Sequence, residues 1–219
     1  MAHDTMMAEM GMTMDMPRTA EDVVFTFAMW TVMMVGMMAG SAAPVLLLFA
    51  AAQAGRSNGR VSWAVLMFGA GYIAVWVGFS AAAALAQEAL HRAAMLSPAM
   101  VVSSPRVAGV ILFGAGVYQL SPVKGACLTH CRSPLGFLMS TWRDGLAGAF
   151  QMGSRHGVYC LGCCWALMGV LFAVGVMNLL WVAALTFLVL VEKIGPFGAH
   201  AARAAGAVMI VAGLLVAVS

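Results

Sequence analysis

From Val23 to Ala52 the chain carries no charged side chain, and a run of that length restricts the fold more than any other feature of the sequence. About 20 apolar residues in a helix are enough to cross a hydrocarbon core roughly 30 Å thick. The run therefore reads as a transmembrane helix, with Pro44 kinking it or ending its regular part. Five more candidate spans follow, approximately Val61 to Ala86, Val107 to Leu120, Val158 to Val176, Leu179 to Val191 and Ala204 to Val218. The third and fifth are short enough to be extended by neighbours or replaced by re-entrant segments. Composition agrees, since 63% of the 219 residues are hydrophobic and 9% are charged, outside the balance of a soluble domain. The expectation is an all-α, polytopic transmembrane helical bundle of about six spans, with a flexible methionine-rich tail over 1–22 and one helical domain over 23–219.

Between the third and fourth spans, Pro134 to Met152 carries Arg143 and Asp144 beside an apolar face of Leu135, Phe137, Leu138, Leu146 and Phe150, the pattern of an amphipathic or re-entrant helix. The segment before the first span is acidic and methionine-rich, without the basic start of a signal peptide, so that span is expected to stay in the mature protein. Arg56, Arg60, Lys124, Arg132, Arg143, Arg155, Lys193 and Arg203 follow spans one, three and five, whereas Arg18, Arg92 and Arg106 lie on the other side. The positive-inside rule then places both termini outside a bacterial inner membrane. A net charge of +3 spread through loops gives no sign of nucleic-acid binding. Gly36 and Gly40, and Gly69, Gly71 and Gly78, are spaced for close helix approach.

Chemistry-bearing side chains cluster. All five cysteines fall between 127 and 164. His156, Cys160, Cys163 and Cys164 recur at offsets of four, seven and eight residues, which returns them to one helical face. Upstream, "CLTHC" sets Cys127 and Cys131 four apart, with His130 beside the second. A single buried free cysteine behaves as a small hydrophobe; three within five residues, preceded by histidine and echoed by a CxxxC pair, point to metal or redox chemistry. Soft thiolates select Cu(I) or zinc, and no carboxylate cluster invites calcium, magnesium or manganese.

Methionine separates the two soft-ligand metals. Twelve of the 20 methionines precede residue 39. The tail holds Met6, Met7, Met10, Met12, Met14 and Met16 beside His3, at spacings that let a chain wrap a soft cation. In the first span Met29, Met33 and Met37 recur every fourth residue, flanked by Met34 and Met38. Such a stripe also serves as adaptable packing, but thioethers favour Cu(I) over zinc. Elsewhere, Asn178 suits a helix cap, Glu192 and Lys193 read as a neighbouring charge pair at the interface, and His91 and His200 read as solvated. No nucleophile-elbow, zincin, phosphate-loop or dinucleotide fingerprint is present.

The segments "MWTVMMVGMMAGSAAP", "KGACLTHCRSPLGFL", "GAFQMGSRHGVYCLGCCWALM" and "VMNLLWVAALTFLVLVEK" resemble the predicted metal-binding integral membrane protein family, a copper-chaperone-like bacterial domain-of-unknown-function family numbered 2182. The resemblance covers about Ala28 to Lys193 and departs from the family pattern at Gly40, where a proline usually precedes the serine. It implies roles in metal binding for Cys127, Cys131, Cys160, Cys163, Cys164, Met33, Met34, Met37 and Met38, and a small soluble partner that donates or accepts metal.

The leading expectation is a Cu(I)-binding membrane protein acting in copper transport or delivery, its metal held by Cys127, Cys131, His156, Cys160, Cys163, Cys164, Met33, Met34, Met37 and Met38. Catalysis is not required. The same residues admit a membrane thiol-disulfide oxidoreductase using Cys160 and Cys163 as a CxxC pair, which prefers the oxidising side and leaves the methionine tail unexplained. They also admit a mercuric-ion uptake protein using the vicinal Cys163 and Cys164. Zinc stays open on the cysteines and histidine alone.

Overall fold

The computed structural model describes residues 20–54, 61–97 and 100–219. The tail methionines from Met6 to Met16, His3, Arg18, Arg56 and Arg60 lie outside the described residues. Among the described residues eight helices follow one another: α1 (Ala20–Ala54), α2 (Val61–Arg92), α3 (Pro105–Gln119), α4 (Pro122–Arg132), α5 (Pro134–Thr141), α6 (Gly145–Val174), α7 (Leu179–Ile194) and α8 (Gly198–Val218). Among the described residues there is no strand, only an isolated bridge between Leu96 and Val102.

Local sequence sets the breaks. Three consecutive helices begin at proline, Pro105, Pro122 and Pro134, where the fixed φ suits the first helical position and the missing N–H costs nothing. The Ser121 hydroxyl accepts from the Lys124 N–H at 3.2 Å, capping α4. Asn178 Oδ1 accepts from the Leu180 and Trp181 N–H groups at 3.1 and 3.4 Å, so it is the cap its position suggested.

Four helices, α1, α6, α8 and α2 from Trp63 onward, are long and apolar enough to cross a membrane; α3 and α4, bent by 62° at their junction, make a fifth when taken together. This is fewer than the six spans expected. The difference lies in α7, whose 16 residues rise about 24 Å. Pro44 sits inside α1 without ending it. The expected helix over Pro134 to Met152 is two pieces: α5 stops at Thr141, and Gly145, at φ +81°, turns the chain into α6, a conformation glycine adopts freely. Residues 145–152 are thus the opening turns of the 30-residue helix that carries the cysteine stripe.

Helices meet closely where glycine removes the side chain. Between α2 and α6, a Cβ on Gly71 would overlap the Phe150 carbonyl oxygen, and one on Gly153 the Phe68 carbonyl oxygen; between α3 and α8, Gly109 and Gly213 face each other's backbone in the same way. Of the glycines marked from sequence for close approach, Gly71 lies in a backbone crossing and a Cβ on Gly40 would come 3.2 Å from the Leu190 side chain, while a Cβ on Gly36, Gly69 or Gly78 would meet nothing within 4 Å.

Polarity is arranged outside in. Leu179, Leu180 and Val218 are at least three-quarters exposed, while Gln87, Gln119, Lys124, His156, Glu192 and Lys193 are buried. One core cluster gathers Trp30, Met34, Met38, Trp76, Cys160 and Leu171; a second joins Phe49, Phe68, Phe137 and Met152.

Candidate metal centre

α6 contributes His156, Cys160, Cys163 and Cys164, each no more than 2% exposed. Their common face packs against α1, α2 and α4. Within the helix, the Cys163 and Cys164 thiols both donate to the Cys160 carbonyl, at 3.1 and 2.9 Å. This back-bonding fixes both rotamers against the preceding turn. All five cysteines are free.

Two sulfur pairs form across helices. Met38 Sδ of α1 lies 4.0 Å from Cys164 Sγ of α6, and Cys131 Sγ of α4 lies 3.9 Å from Cys163 Sγ. A metal–thiolate bond of about 2.3 Å lets one ion bridge two sulfurs up to about 4.6 Å apart, so either pair can hold a low-coordinate soft ion. Among the described residues, no three His, Cys, Asp or Glu side chains stand together as a ready-made metal shell. The two pairs, one of a thiol with a thioether and one of two thiols, suit an ion content with few ligands better than one that needs a closed tetrahedron. Cys127 is half-buried against Gly162, where an added Cβ would come within 2.8 Å of its sulfur; glycine makes the room that Cys127 uses.

The remaining expected ligands are dispersed around these pairs. Met34 and Met37 are buried in the same core cluster, with Met33 packed at its edge. Met29, Met33 and Met37 line a groove of about 710 Å³ between α1 and the start of α7, with Met177 opposite. His156 is set among aromatic rings, 5.8 Å from Tyr72 and 5.1 Å from Phe137 between centroids. Its Nδ1 is buried without a hydrogen-bond partner among the described residues, an unused donor or acceptor one turn before Cys160. His130 turns away and stacks on Tyr159 at 4.2 Å.

Lys193 is the central residue that the sequence reading did not select. Its Nζ donates to Cys160 Sγ at 2.8 Å and to Ser41 Oγ at 3.4 Å, and lies 3.8 Å from Met38 Sδ and 4.0 Å from Cys164 Sγ. The Tyr72 hydroxyl shares a further hydrogen bond with Cys160 Sγ at 3.0 Å. Glu192 and Lys193 are therefore not an interfacial pair. Glu192 has its own partner, 2.6 Å away at Lys124 Nζ, with Gln119 bonded to both. Arg132 closes this side by donating to the Glu192 and Gly195 carbonyls at 2.9 and 3.0 Å. A signal was available: Leu185, Val189, Glu192 and Lys193 are the buried residues of α7 and recur at offsets of four, seven and eight, the same face rule that groups the cysteines.

The site thus joins thiols, a thioether and an ammonium on α1, α6 and α7, with a second thiol pair reaching α4. No curated protein and no solved structure shows significant similarity to the chain. A family model for the copper chaperone PpoB2 does match, over residues 27–216, a stretch that contains every sulfur of both pairs. The chain belongs to the copper chaperone family.

Proposed function

We propose that the chain is a multi-pass protein of the bacterial inner membrane that binds Cu(I) as cargo through thiolate and thioether sulfur and passes it to or from a small soluble protein. The observation that carries this reading is the meeting of Met38 Sδ with Cys164 Sγ at 4.0 Å. A thioether beside a thiol is a donor set that favours Cu(I), and hard cations or zinc gain little from the thioether.

The apolar exterior and buried polar interior support a lipid environment, in which polar side chains turn toward the bundle interior. Met29, Met33 and Met37 line the groove, Met37 shares one buried cluster with Met38, Cys160, Cys163 and Cys164, and Met29, Met33, Cys127 and Cys131 pack against that cluster, which supports an order from the groove through Met38, Cys164 and Cys160 to Cys163, Cys131 and Cys127. Cargo would move along this order by exchanging one sulfur for the next, with no change of oxidation state. The tail methionines are proposed to collect the ion first, outside the membrane. His156 and Met34 complete the proposed ligand environment from the buried side.

Anaerobic titration of the purified protein with Cu(I) against a competing chelator tests this function. Wild-type protein is expected to bind tightly and stoichiometrically, and the Cys160→Ser, Cys163→Ser, Cys164→Ser triple variant to lose that binding. Removal of residues 1 to 18 should leave it in place and slow its loading. Absence of competitive binding by the wild-type protein would overturn the copper reading.

A further inference from the structure

We propose that Lys193 is a built-in competitor for the copper site: its ammonium holds the place among Met38, Cys160 and Cys164 that Cu(I) takes on loading, and the ion displaces it. The inference rests on reading these sulfurs as the cargo site.

Placement is the first support. Lys193 Nζ stands 2.8, 3.8 and 4.0 Å from the Cys160, Met38 and Cys164 sulfurs, so an ion bonded to these sulfurs and the ammonium cannot share the space. The second is the absence of a conventional partner. Among the described residues the ion pairs join Arg92 to Glu88 and Lys124 to Glu192, and the adjacent carboxylate is thereby engaged by Lys124 and Gln119. A buried ammonium is costly unless an anion stands beside it, and the group at hydrogen-bond distance that can supply one is the Cys160 thiolate.

Charge gives the third. Ammonium and Cu(I) each carry a single positive charge, so exchanging one for the other leaves the balance inside the bundle unchanged. A divalent ion would leave an extra charge in a site with little solvent to screen it. The ammonium contributes a hydrogen bond and an ion-pair contact, whereas Cu(I) forms coordinate bonds to the same sulfurs. The ion therefore wins when supplied, and the lysine refills the site when a recipient removes it. Lys193 lies in the last turn of α7, where its four-carbon stem lets the ammonium swing toward the helix end while its methylenes stay in apolar surroundings. Cu(I) bonds to the Cys160 thiolate that the ammonium already faces and to the neutral Met38 sulfur, while Cys164 keeps the proton it donates to the Cys160 carbonyl and contributes as a neutral thiol; metal–sulfur bonds form and an ion pair breaks, with no proton or electron transferred.

The chain has two lysines, Lys124 and Lys193, which makes the test clean. Reductive methylation of the full-length protein in micelles, read by mass spectrometry, is compared with and without anaerobic Cu(I) loading. Loading should raise modification of Lys193 several-fold and leave Lys124, held by Glu192 and Gln119, unchanged. In chelator competition, Lys193→Leu, which removes the ammonium without adding a sulfur ligand, should bind Cu(I) about 10-fold or more tighter and release it more slowly, on the scale by which groups around a metal tune its affinity, while Lys193→Arg should bind no tighter than wild type. Equal methylation of Lys193 in loaded and unloaded protein that binds Cu(I) would overturn the inference alone, as would unchanged affinity in a folded Lys193→Leu. Failure of the wild type to bind Cu(I) would overturn the reading of the site and this inference with it. Should Lys193→Leu not fold, the wild-type methylation comparison decides.

Discussion

Met38 occupies a position where packing and ligation make different demands, so substitution there separates them. Its side chain is fully buried, and Ser41 reaches both its carbonyl, at 2.9 Å, and its sulfur, at 4.0 Å. Met38→Leu keeps volume and polarity, and swaps of this kind cost less than about 1.5 kcal/mol. The thioether, by contrast, disappears entirely. We expect the variant to unfold in micelles close to the wild-type temperature yet to bind Cu(I) at least about 10-fold more weakly, a loss of the size seen when groups supporting a metal are removed. A folded variant with wild-type affinity would show that Met38 only packs. The methionine stripe was visible in the sequence, but its division was not. Side chains four residues apart share a face, yet only contact with α6 and α7 sets Met38 against the thiols while Met29 and Met33 face a groove. Lys193 was misread for a related reason: a lysine at the end of an apolar helix is ordinarily solvated, and the pairing of Glu192 with Lys124 across 68 residues has no local signature.

At the level of elements, α7 is held by a buried ionic clamp that also positions α4. Lys124 and Glu192 each have side chains only 2% exposed, and Gln119 at the end of α3 bonds to both. Breaking such a pair from one side strands the other charge, at a cost of about 3–5 kcal/mol, whereas replacing both by apolar groups is often neutral. Lys124→Met is therefore expected to lower the unfolding temperature sharply, and Lys124→Met with Glu192→Leu to recover most of the loss. Thermal unfolding of both in detergent measures the difference. If the single change were harmless, the clamp would carry no stability. The apolar runs revealed most of the helices but misplaced the start of α6. Hydropathy marks where a helix can lie in lipid; the boundary at Gly145 depends on a backbone turn, and the polar Arg143 and Asp144 obscured the continuity of the apolar residues after it.

For the whole molecule, the number of crossings fixes the relation of the two ends. Five spans, with α3 and α4 as one bent crossing and α7 as none, put the termini on opposite faces; six put them on the same face. Short links of four residues before α7 and three after it favour up-and-down neighbours, so α7 is proposed to traverse, accommodated by local thinning around a helix of about 24 Å. The charge rule needs amendment before it is used here, because Lys124 and Lys193 are buried and report chemistry rather than orientation. Arg132, Arg143, Arg155 and Arg203 still outnumber Arg92 and Arg106 among the described residues, which supports the proposal that α4 and the thiols face the cytoplasm. Tags fused separately to the two ends should then both be digested by protease added outside intact spheroplasts. An impermeant maleimide added there should leave Cys127 and Cys131 unlabelled, as cytoplasmic thiols that stay reduced and ready to bind. Protection of one tag alone would establish an odd number of crossings and remove α7 from the spans. External labelling of Cys127 would place the half-buried end of the sulfur series at the oxidising face, and the direction of copper handling would have to be reversed.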